Sequence, residues 1–482
     1  MRWRYTLYVV GAILTSVSLT MLIALAFSLY YGDGGVVPLL KSMGVSLGLG
    51  LGLFFVFRKS GALSMNHREG MAIVALGWAA AGIVGALPFY FGGVFESPVD
   101  CVFESVSGFT TTGASVLSNI EAVPKGLLMW RSLTHWLGGM GIIVLSLAIL
   151  PFLGVGGMQL YKAEVPGPAP DKLKPRIKDT AMLLWKVYVF FTALEVLLLL
   201  FGGMDLFESL CHTFGTMATG GFSTRNASIG HYGSLYIDVV VIVFMLIAGT
   251  NFSLHHQLLR GKPLALWRNP EFRFFGAVFL VFTLASTVSV LGRNYSTFGE
   301  ALRYCSFQTA SILTTTGFVT ADYEMWTPLP QVLLLLLMFM GGCAGSTGGG
   351  MKCMRILLLI KHSYQELVRL IHPSAVIKVK LGGKTVSQEV LGGIWGFFVL
   401  YLGLFILSSF LLAAMGVDVV TSFAAVAACI GNIGPGLGAV GPTHNYTSIP
   451  MLGKWILTFC MLLGRLEIYT VIILFVPEFW RK

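Results

Sequence analysis

Four short segments rich in Thr and Gly interrupt strongly apolar sequence, and their backbones could bind a monovalent cation. They are Phe109–Gly113, Met217–Gly221, Leu313–Gly317 and Ile430–Gly434. Glycine permits backbone angles that turn carbonyl oxygens inward, and a ring of such oxygens can replace the hydration shell of a cation. The closing glycines recur at intervals of about 100 residues, longer than any solenoid repeat. We therefore predict four related units around one axis.

Alignment of the four segments selects Gly221, rather than Gly220, as the closing glycine of the second segment. The residues nine positions before the closing glycines are then Glu104, His212, Gln308 and Ala425. Only this register places a polar residue there in each of the first three segments. We predict that these polar side chains, together with His135, brace the segments through hydrogen bonds rather than bind ligands or carry protons.

The elements that must position these segments are membrane helices. The chain is 55% hydrophobic and 11% charged, with a mean hydropathy of +0.79, whereas a soluble domain carries about 25% charged residues. Apolar runs long enough to cross a bilayer are predicted at 5–31, 36–57, 70–94, 126–150, 181–203, 233–258, 272–292, 329–360, 389–415 and 449–475. Shorter runs, such as 100–109 and 419–430, precede the polar segments and are too short to cross. Each unit is therefore predicted as a span, a half-crossing helix, a polar turn and a second span.

Charge placement predicts the orientation of these spans. Most of the 32 Lys and Arg residues lie on the side that holds both termini, so both termini are predicted to be cytoplasmic. The net charge of +10 is thus a topology signal and does not indicate a nucleic-acid partner. The apolar stretch after Arg4 is longer than that of a signal peptide and is predicted to remain as a helix.

A second Gly-rich run lies in the middle of the predicted span 329–360. It reads GGCAGSTGGG from Gly341 to Gly350, and so many glycines, each costing about 1 kcal/mol relative to Ala, predict a break in the helix. The run is not a nucleotide-binding P-loop, because that motif requires Lys and then Ser or Thr directly after the glycine. Close helix packing is the alternative explanation.

Arg465 and Glu195 lie within predicted spans, where a charge must face a partner or a cavity. Arg465 lies in the last span, and either an ion pair with a neighbouring helix or a position facing a pore would explain it. Glu467 is a poor partner because residues two apart on a helix face different directions. Glu195 is predicted to pair across helices. The seven cysteines show no paired or zinc-type spacing and are predicted to be free buried thiols.

These segments, with RSLTHWLGGMGIIV at 131–144 and GRLEIYT at 464–470, resemble the Trk/Ktr/HKT superfamily of potassium channels and transporters, most closely its bacterial Trk membrane subunits. The resemblance covers essentially the whole chain. It implies an all-α polytopic membrane protein with four helix/pore-helix/helix repeats, pseudo-fourfold symmetry around a central pore and two extra N-terminal helices. The implied divisions are 1–60 for the extra helices and 61–165, 166–262, 263–372 and 373–482 for the four units.

The resemblance also gives the predicted sites their roles. The potassium-binding selectivity filter is predicted to consist of Thr110, Thr111, Thr112, Gly113, Ala218, Thr219, Gly220, Gly221, Thr314, Thr315, Thr316, Gly317, Gly431, Asn432, Ile433 and Gly434. Glycine at the critical position of all four units is associated with potassium selectivity, and serine in the first unit with sodium permeation. The gate is predicted to consist of Gly341, Gly342, Cys343, Ala344, Gly345, Ser346, Thr347, Gly348, Gly349 and Gly350, with Arg465 projecting into the pore below the filter.

The implied partners are a lipid bilayer, a second copy in a homodimer and a cytosolic nucleotide-binding regulatory subunit of the RCK type. That subunit is expected to dock on the basic loops at 158–180 and 352–386, which are too short to form a domain. The chain itself is predicted to hold no cofactor, with K⁺ as the transported ion, and to reside in a bacterial inner membrane.

The competing function is an ion-coupled secondary symporter of potassium, driven by protons or sodium. Such transporters have two related halves with broken helices in each, whereas the sequence predicts four units and one broken span. This difference favours a channel-like pore over a symporter. Paired catalytic carboxylates and an activated nucleophile are not apparent in the sequence, so an enzyme is not predicted.

Overall fold

The computed structural model describes residues 2–58, 67–148, 177–375 and 377–481. Helices dominate these residues. In chain order they are α1 (Trp3–Tyr31), α2 (Val36–Phe57), α3 (His67–Gly85), α4 (Leu87–Phe91), α5 (Pro98–Phe109), α6 (Lys125–Ala148), α7 (Ile177–Phe201), α8 (Leu206–Ala218), α9 (Leu235–Ala248), α10 (Phe252–Leu259), α11 (Leu264–Arg268), α12 (Pro270–Val290), α13 (Phe298–Leu313), α14 (Pro328–Leu337), α15 (Cys353–Ile371), α16 (Gln388–Ala414), α17 (Val419–Ile430), α18 (Met451–Arg465), α19 (Ile468–Ile472) and α20 (Pro477–Trp480). One antiparallel hairpin joins β1 (Lys380–Leu381) to β2 (Lys384–Thr385).

The predicted all-α membrane fold is confirmed. Within the described ranges, six helices are long and apolar enough to cross a membrane, and two bent helix pairs also pass that test. The other two predicted spans correspond to α6 and to the pair α14 and α15, which a non-helical segment separates. The boundary predicted at 165/166 and most of the loop 158–180 fall outside the described residues.

Four groups of helices follow the predicted order of span, short helix and span. Unit 1 comprises α3 to α6, unit 2 α7 to α10, unit 3 α12 to α15 and unit 4 α16 to α19. The short helices α5, α8, α13 and α17 are the pore helices. Each begins after a residue whose side chain accepts a hydrogen bond from a first-turn N–H, and these residues are Ser97, Asp205, Thr297 and Asp418. These caps explain where the short helices begin.

The units join in sequence order and close on themselves. The last spans of units 1 and 2, α6 and α9, pack on the pore helix of the next unit, and α18 of unit 4 packs on α5 of unit 1. Two salt bridges of 2.7 Å reinforce these junctions: Asp238 of α9 with Arg303 of α13, and Lys454 of α18 with Asp100 of α5. The second bridge links the last unit to the first.

The two extra helices form a tightly packed pair outside this ring. A Cβ atom added to Gly11 of α1 or to Gly50 of α2 would lie 2.7 Å from a backbone nitrogen of the other helix. Small residues allow this close approach of helices in membranes. A hydrogen bond of 2.7 Å between Ser18 and Ser46 joins the same faces, and α1 also packs on α3 and α6 of unit 1.

The prediction of a single broken span is wrong. Besides the break after α14, the chain bends by 106° between α9 and α10 and by 117° between α18 and α19. At the second bend Glu467 has a φ of 61°, a backbone angle that residues with a side chain rarely adopt. The predicted polar loop at 352–386 is also incorrect, because α15 extends to Ile371 before the β1–β2 hairpin. Arg355, Lys361 and Arg369 lie on this amphipathic helix, whereas Lys378, Lys380 and Lys384 follow it.

Candidate ion-conducting site

Each pore helix ends in the same backbone turn. In unit 1 the N–H of Thr112 donates to Ser107 O at 2.9 Å, and the N–H of Thr111 donates to Gly108 O at 2.9 Å. The same pair of bonds recurs at Gly220 and Thr219, at Thr316 and Thr315, and at Ile433 and Asn432. This is the Schellman arrangement, which satisfies the last carbonyl groups of a helix and reverses the chain. The four Thr/Gly segments therefore leave their helices in one common geometry.

The first residue of each turn has a left-handed backbone conformation, although none of the four is glycine. Their φ angles are 50° at Thr111, 56° at Thr219, 61° at Thr315 and 54° at Asn432. For a β-branched residue such as Thr this conformation is a genuine outlier that costs about 1–2 kcal/mol. Strain of this kind persists only where the surrounding structure enforces it, and it concentrates at functional sites.

The four closing glycines lie side by side in a closed ring. A Cβ atom added to Gly113, Gly221, Gly317 or Gly434 would lie no more than 2.7 Å from a carbonyl oxygen of the next unit, namely that of Gly220, Thr316, Ile433 or Thr112 respectively. All four glycines also have φ between 76° and 98°. Glycine is therefore required at each position for two reasons: the positive φ disfavours other residues, and there is no space for a Cβ atom. Gly221, and not Gly220, occupies the equivalent position in unit 2.

Hydrogen bonds from the predicted bracing residues support three of the four segments. Glu104 accepts from Ser115 Oγ at 2.9 Å and from the N–H of Val116 at 3.0 Å. His212 Nε2 bonds to Ser223 Oγ at 2.9 Å. When the side-chain amide of Gln308 is oriented so that both its oxygen and its nitrogen have hydrogen-bond partners, the oxygen accepts from the N–H of Thr320 at 2.8 Å.

Unit 4 has Ala425 at the bracing position, and two tyrosines replace the missing support. Tyr446 donates to Gly434 O at 2.6 Å, and Tyr323 of unit 3 donates to Gly436 O at 2.8 Å. Both tyrosines are fully buried. The sequence did not reveal these tyrosines because they lie in the loops after the segments, whereas the alignment compared only residues before each closing glycine.

Arg131 is a second residue that the sequence analysis missed. Its Nε donates to Glu104 at 2.6 Å with both side chains almost fully buried, and its Nη1 donates to Ser223 O at 3.0 Å. Its guanidinium also lies 3.5 Å from the centre of the Phe222 ring. Arg131 therefore connects the segments of units 1 and 2. The signal in the sequence is a charged residue that opens the RSLTHW motif and falls within the predicted span 126–150.

Two other intramembrane predictions are wrong. His135 makes no hydrogen bond within the described parts of the chain; its ring stacks on Phe222 at 4.0 Å and fills the space beside Gly220. Glu195 has no partner for either carboxylate oxygen among the described residues, so the predicted pairing across helices is not observed. All seven cysteines are free and buried, as predicted.

The predicted break in the third unit is confirmed as a buried loop, which we call the intramembrane loop (residues 338–352), between α14 and α15. The N–H of Gly349 donates to Thr315 Oγ1 at 2.7 Å, at the base of the unit 3 segment. A Cβ on the same glycine would lie 2.6 Å from Cβ of Asn432 in unit 4. Thr347 Oγ1 bonds to Met217 O at 3.0 Å in unit 2. The loop therefore contacts the base of three segments at once.

Arg465 extends these contacts to the remaining unit. Its Nη1 donates to Thr347 O at 2.5 Å, and its Nη2 donates to Gly138 O of α6 in unit 1 at 3.1 Å. No salt bridge to Arg465 is found in the described ranges. Glu467, the nearest acidic residue in the sequence, instead forms a salt bridge of 2.7 Å with Arg355. The ion-pair explanation of Arg465 is therefore not supported. A loop and a guanidinium that together contact all four units must lie beneath the ring, close to its axis.

A backbone carbonyl oxygen of the next unit lies beside each glycine of this ring. Among the described residues, no group of three or more His, Cys, Asp or Glu side chains could hold a metal ion. The ring instead presents carbonyl oxygens, and the C-terminal ends of four pore helices, each carrying about half a negative charge, approach it. Such a site suits a monovalent cation.

Comparison with known proteins shows the family of this chain. Residues 40–482 match the TrkH family, described as a cation transport protein. The chain is 45% identical over the full length of both proteins to the Trk system potassium uptake protein TrkH of Escherichia coli K12. It is 36% identical to the TrkG protein of the same strain, over 99% of each chain. The chain belongs to the TrkH family.

The fold of this TrkH-family chain is similar to a solved structure. The crystal structure of the potassium transporter TrkH from Vibrio parahaemolyticus matches it with a TM-score of 0.91 and 40% identity, covering 100% of both chains. The protein is therefore a membrane transport protein, and the family is one of transporters rather than enzymes.

In this TrkH-family chain, Arg465→Ala is expected to raise cation flux roughly tenfold, because it removes both a positive charge beneath the ring and a tether of the intramembrane loop. Flux into liposomes containing the purified variant measures the effect. Arg465→Lys is the matched control, since it keeps the charge but cannot bridge Thr347 O and Gly138 O. A flux no higher than wild type in Arg465→Ala would contradict the prediction.

Proposed function

We propose that this protein takes up potassium ions through the ring formed by its four Thr/Gly segments. The observation that carries the proposal is the closed cycle of four glycines, each against a carbonyl oxygen of the next unit. Related proteins of 36% to 45% identity are named potassium uptake proteins. Glycine in all four units favours potassium over sodium, which serine in the first unit would admit.

The intramembrane loop and Arg465 form the gate in this proposal. The loop lies under the segments and hydrogen bonds to the base of the filter at Thr315. Lys352 Nζ donates a hydrogen bond to Gly348 O, and Arg465 donates one to the neighbouring carbonyl, Thr347 O. Two positively charged side chains therefore bind adjacent carbonyl groups of the loop. In this position the loop obstructs the path below the filter, and its displacement opens the path.

The remaining roles follow from the resemblance and the charge pattern. The chain resides in a bacterial inner membrane with both termini cytoplasmic, as the distribution of Lys and Arg favours. It acts as a homodimer, and a cytosolic nucleotide-binding subunit of the RCK type regulates it. The amphipathic helix α15, which connects directly to the intramembrane loop, is a suitable element to transmit that regulation.

The second candidate function is a potassium symporter coupled to protons or sodium. The observation that favours it is the presence of further breaks at α9/α10 and α18/α19, since broken helices at the membrane centre are typical of secondary transporters. The number of broken spans therefore does not distinguish a channel-like pore from a symporter.

Potassium and sodium uptake into liposomes containing the purified protein tests both functions. A passive pore selective for potassium takes up K⁺ faster than Na⁺ along an imposed gradient, with a rate that does not depend on a pH gradient. A symporter instead accumulates K⁺ against its gradient when a proton or sodium gradient is imposed. Equal rates for the two ions, without accumulation, would refute potassium selectivity in either form.

A further inference from the structure

Glu271 is a buried carboxylate at the start of α12 that binds both the intramembrane loop and the helix that follows it. It occupies the first turn of α12, and its residue is only 2% exposed. One oxygen, Oε1, accepts hydrogen bonds from the N–H of Ala344 at 2.8 Å and from the N–H of Met354 at 3.0 Å. Ala344 lies within the loop and Met354 lies just after it. A single atom thus joins both sides of the loop.

The neck of the loop is also closed by bonds within unit 3, one of which runs from Cys353 Sγ to Gly341 O at 3.1 Å. The N–H of Gly341 donates to Met351 O at 2.8 Å, and the N–H of Cys353 donates to Gly342 O at 3.2 Å. These bonds keep the two sides together, but they do not attach the loop to a neighbouring helix. Glu271 attaches both sides of the loop to α12, the first span of the same unit.

The chemistry of the contact favours a strong attachment. The N–H of Met354 belongs to the first turn of the 19-residue helix α15, where backbone N–H groups have no partner within the helix. A carboxylate is stabilised there by the positive end of the helix dipole. Hydrogen bonds to an ionised oxygen are also about twice as strong as bonds between neutral groups.

We propose that Glu271 is the positioning residue that holds the intramembrane loop beneath the filter, by binding the N–H group of Ala344 within the loop and that of Met354 just after it. These two bonds must break, together with the contacts of the loop to Thr315 and Arg465, before the loop leaves the pore. Glu271 therefore shifts the balance toward the closed position. The inference rests on the proposed role of the loop as a gate. It adds the element that keeps that gate closed.

Glu271→Ala is expected to raise potassium flux roughly tenfold, the change produced by shifting the closed-to-open equilibrium by about 1.4 kcal/mol. Glu271→Gln keeps the shape and one acceptor oxygen but loses the charge, so its flux is expected to lie between those of wild type and Glu271→Ala. If the alanine variant does not fold, the glutamine variant decides the question. Wild-type flux in every folded variant would overturn the role of Glu271 in keeping the gate closed.

Glu195→Ala is the matched control. Glu195 is also fully buried in the first span of a unit, but no hydrogen bond joins it to the loop in the described structure. Its removal reports the general effect of deleting a buried carboxyl group. An equal rise in flux in Glu195→Ala and Glu271→Ala would refute a specific role for Glu271.

A native cysteine gives a readout that does not depend on flux. Cys343 precedes Ala344 and is 1% exposed. In a chain where the other six cysteines are replaced by alanine, Cys343 should react with N-ethylmaleimide roughly ten times faster after Glu271→Ala than with Glu271 present. An unchanged reaction rate would show that the loop stays in place without Glu271 and would sink the proposal.

Deletion of Gly348 to Gly350 tests whether the loop is the gate separately from whether Glu271 holds the loop. If the deletion raises flux and Glu271→Ala changes neither flux nor Cys343 labelling, the gate stands and the role of Glu271 fails. If Glu271→Ala speeds labelling while neither variant changes flux, Glu271 holds the loop but the loop is not the gate.

Discussion

Gly113→Ser is expected to lower the preference for K⁺ over Na⁺ at least about tenfold, a change in relative transition free energy of about 1.4 kcal/mol. The added Cβ would overlap the carbonyl oxygen of Gly220 in the neighbouring unit, and the φ of 76° disfavours any residue with a side chain. The strands must therefore shift, and the distances within the carbonyl ring change with them. Uptake of each ion into liposomes measures the preference.

Gly93→Ser is the matched control for this variant. Gly93 lies in the same unit with a φ of 61°, but a Cβ there would meet nothing within 4 Å. It therefore reports the cost of the left-handed backbone without the clash in the ring. An ion preference that is unchanged in Gly113→Ser, or reduced equally in both variants, would count against the filter.

Deletion of Gly348 to Gly350 is expected to raise potassium flux by at least about tenfold, which corresponds to removing roughly 1.4 kcal/mol of barrier. The deletion removes the hydrogen bond from Gly349 to Thr315 Oγ1 and the carbonyl that Lys352 binds. It also shortens the loop that lies below the filter. Single-channel recordings in planar bilayers measure the open probability directly. An unchanged open probability would contradict the gate.

Two threonines at equivalent positions of the ring provide a finer comparison. Thr315→Val removes the acceptor for the N–H of Gly349, so it is expected to release the loop and increase open probability in part. Thr111→Val makes the same chemical change in unit 1, where the hydroxyl has no hydrogen-bond partner among the described residues. A similar open probability in the two variants would show that the loop is not held through Thr315.

The sequence was informative about the site because the same local requirement occurs four times. A closing glycine with positive φ against a neighbouring carbonyl leaves no alternative residue, so Gly113 and its three counterparts appear at a recognisable spacing. The break at Gly341–Gly350 was predictable for a similar reason, since glycine-rich sequence does not sustain a helix. Local backbone demands of this kind are visible in the residue types themselves.

Other breaks were not visible because their causes are not local. The bend after α18 occurs at Glu467, a residue without special helix-breaking character, whose side chain pairs with Arg355 of unit 3. His135 shows the same limit: its polar ring suggested a hydrogen bond, but in the structure it packs between Phe222 and Gly220. In both cases a contact with another unit decides the conformation.

By itself, the sequence determined the membrane environment, the fourfold repeat and the identity of the glycines, because composition and backbone conformation are properties of short stretches of chain. Only the tertiary structure decided how these stretches meet: that each glycine faces the next unit, that Arg465 binds loop and α6 carbonyls instead of a carboxylate, and that Glu271 joins both sides of the loop. These contacts join residues far apart in the chain, and their geometry depends on the packing of all four units at once.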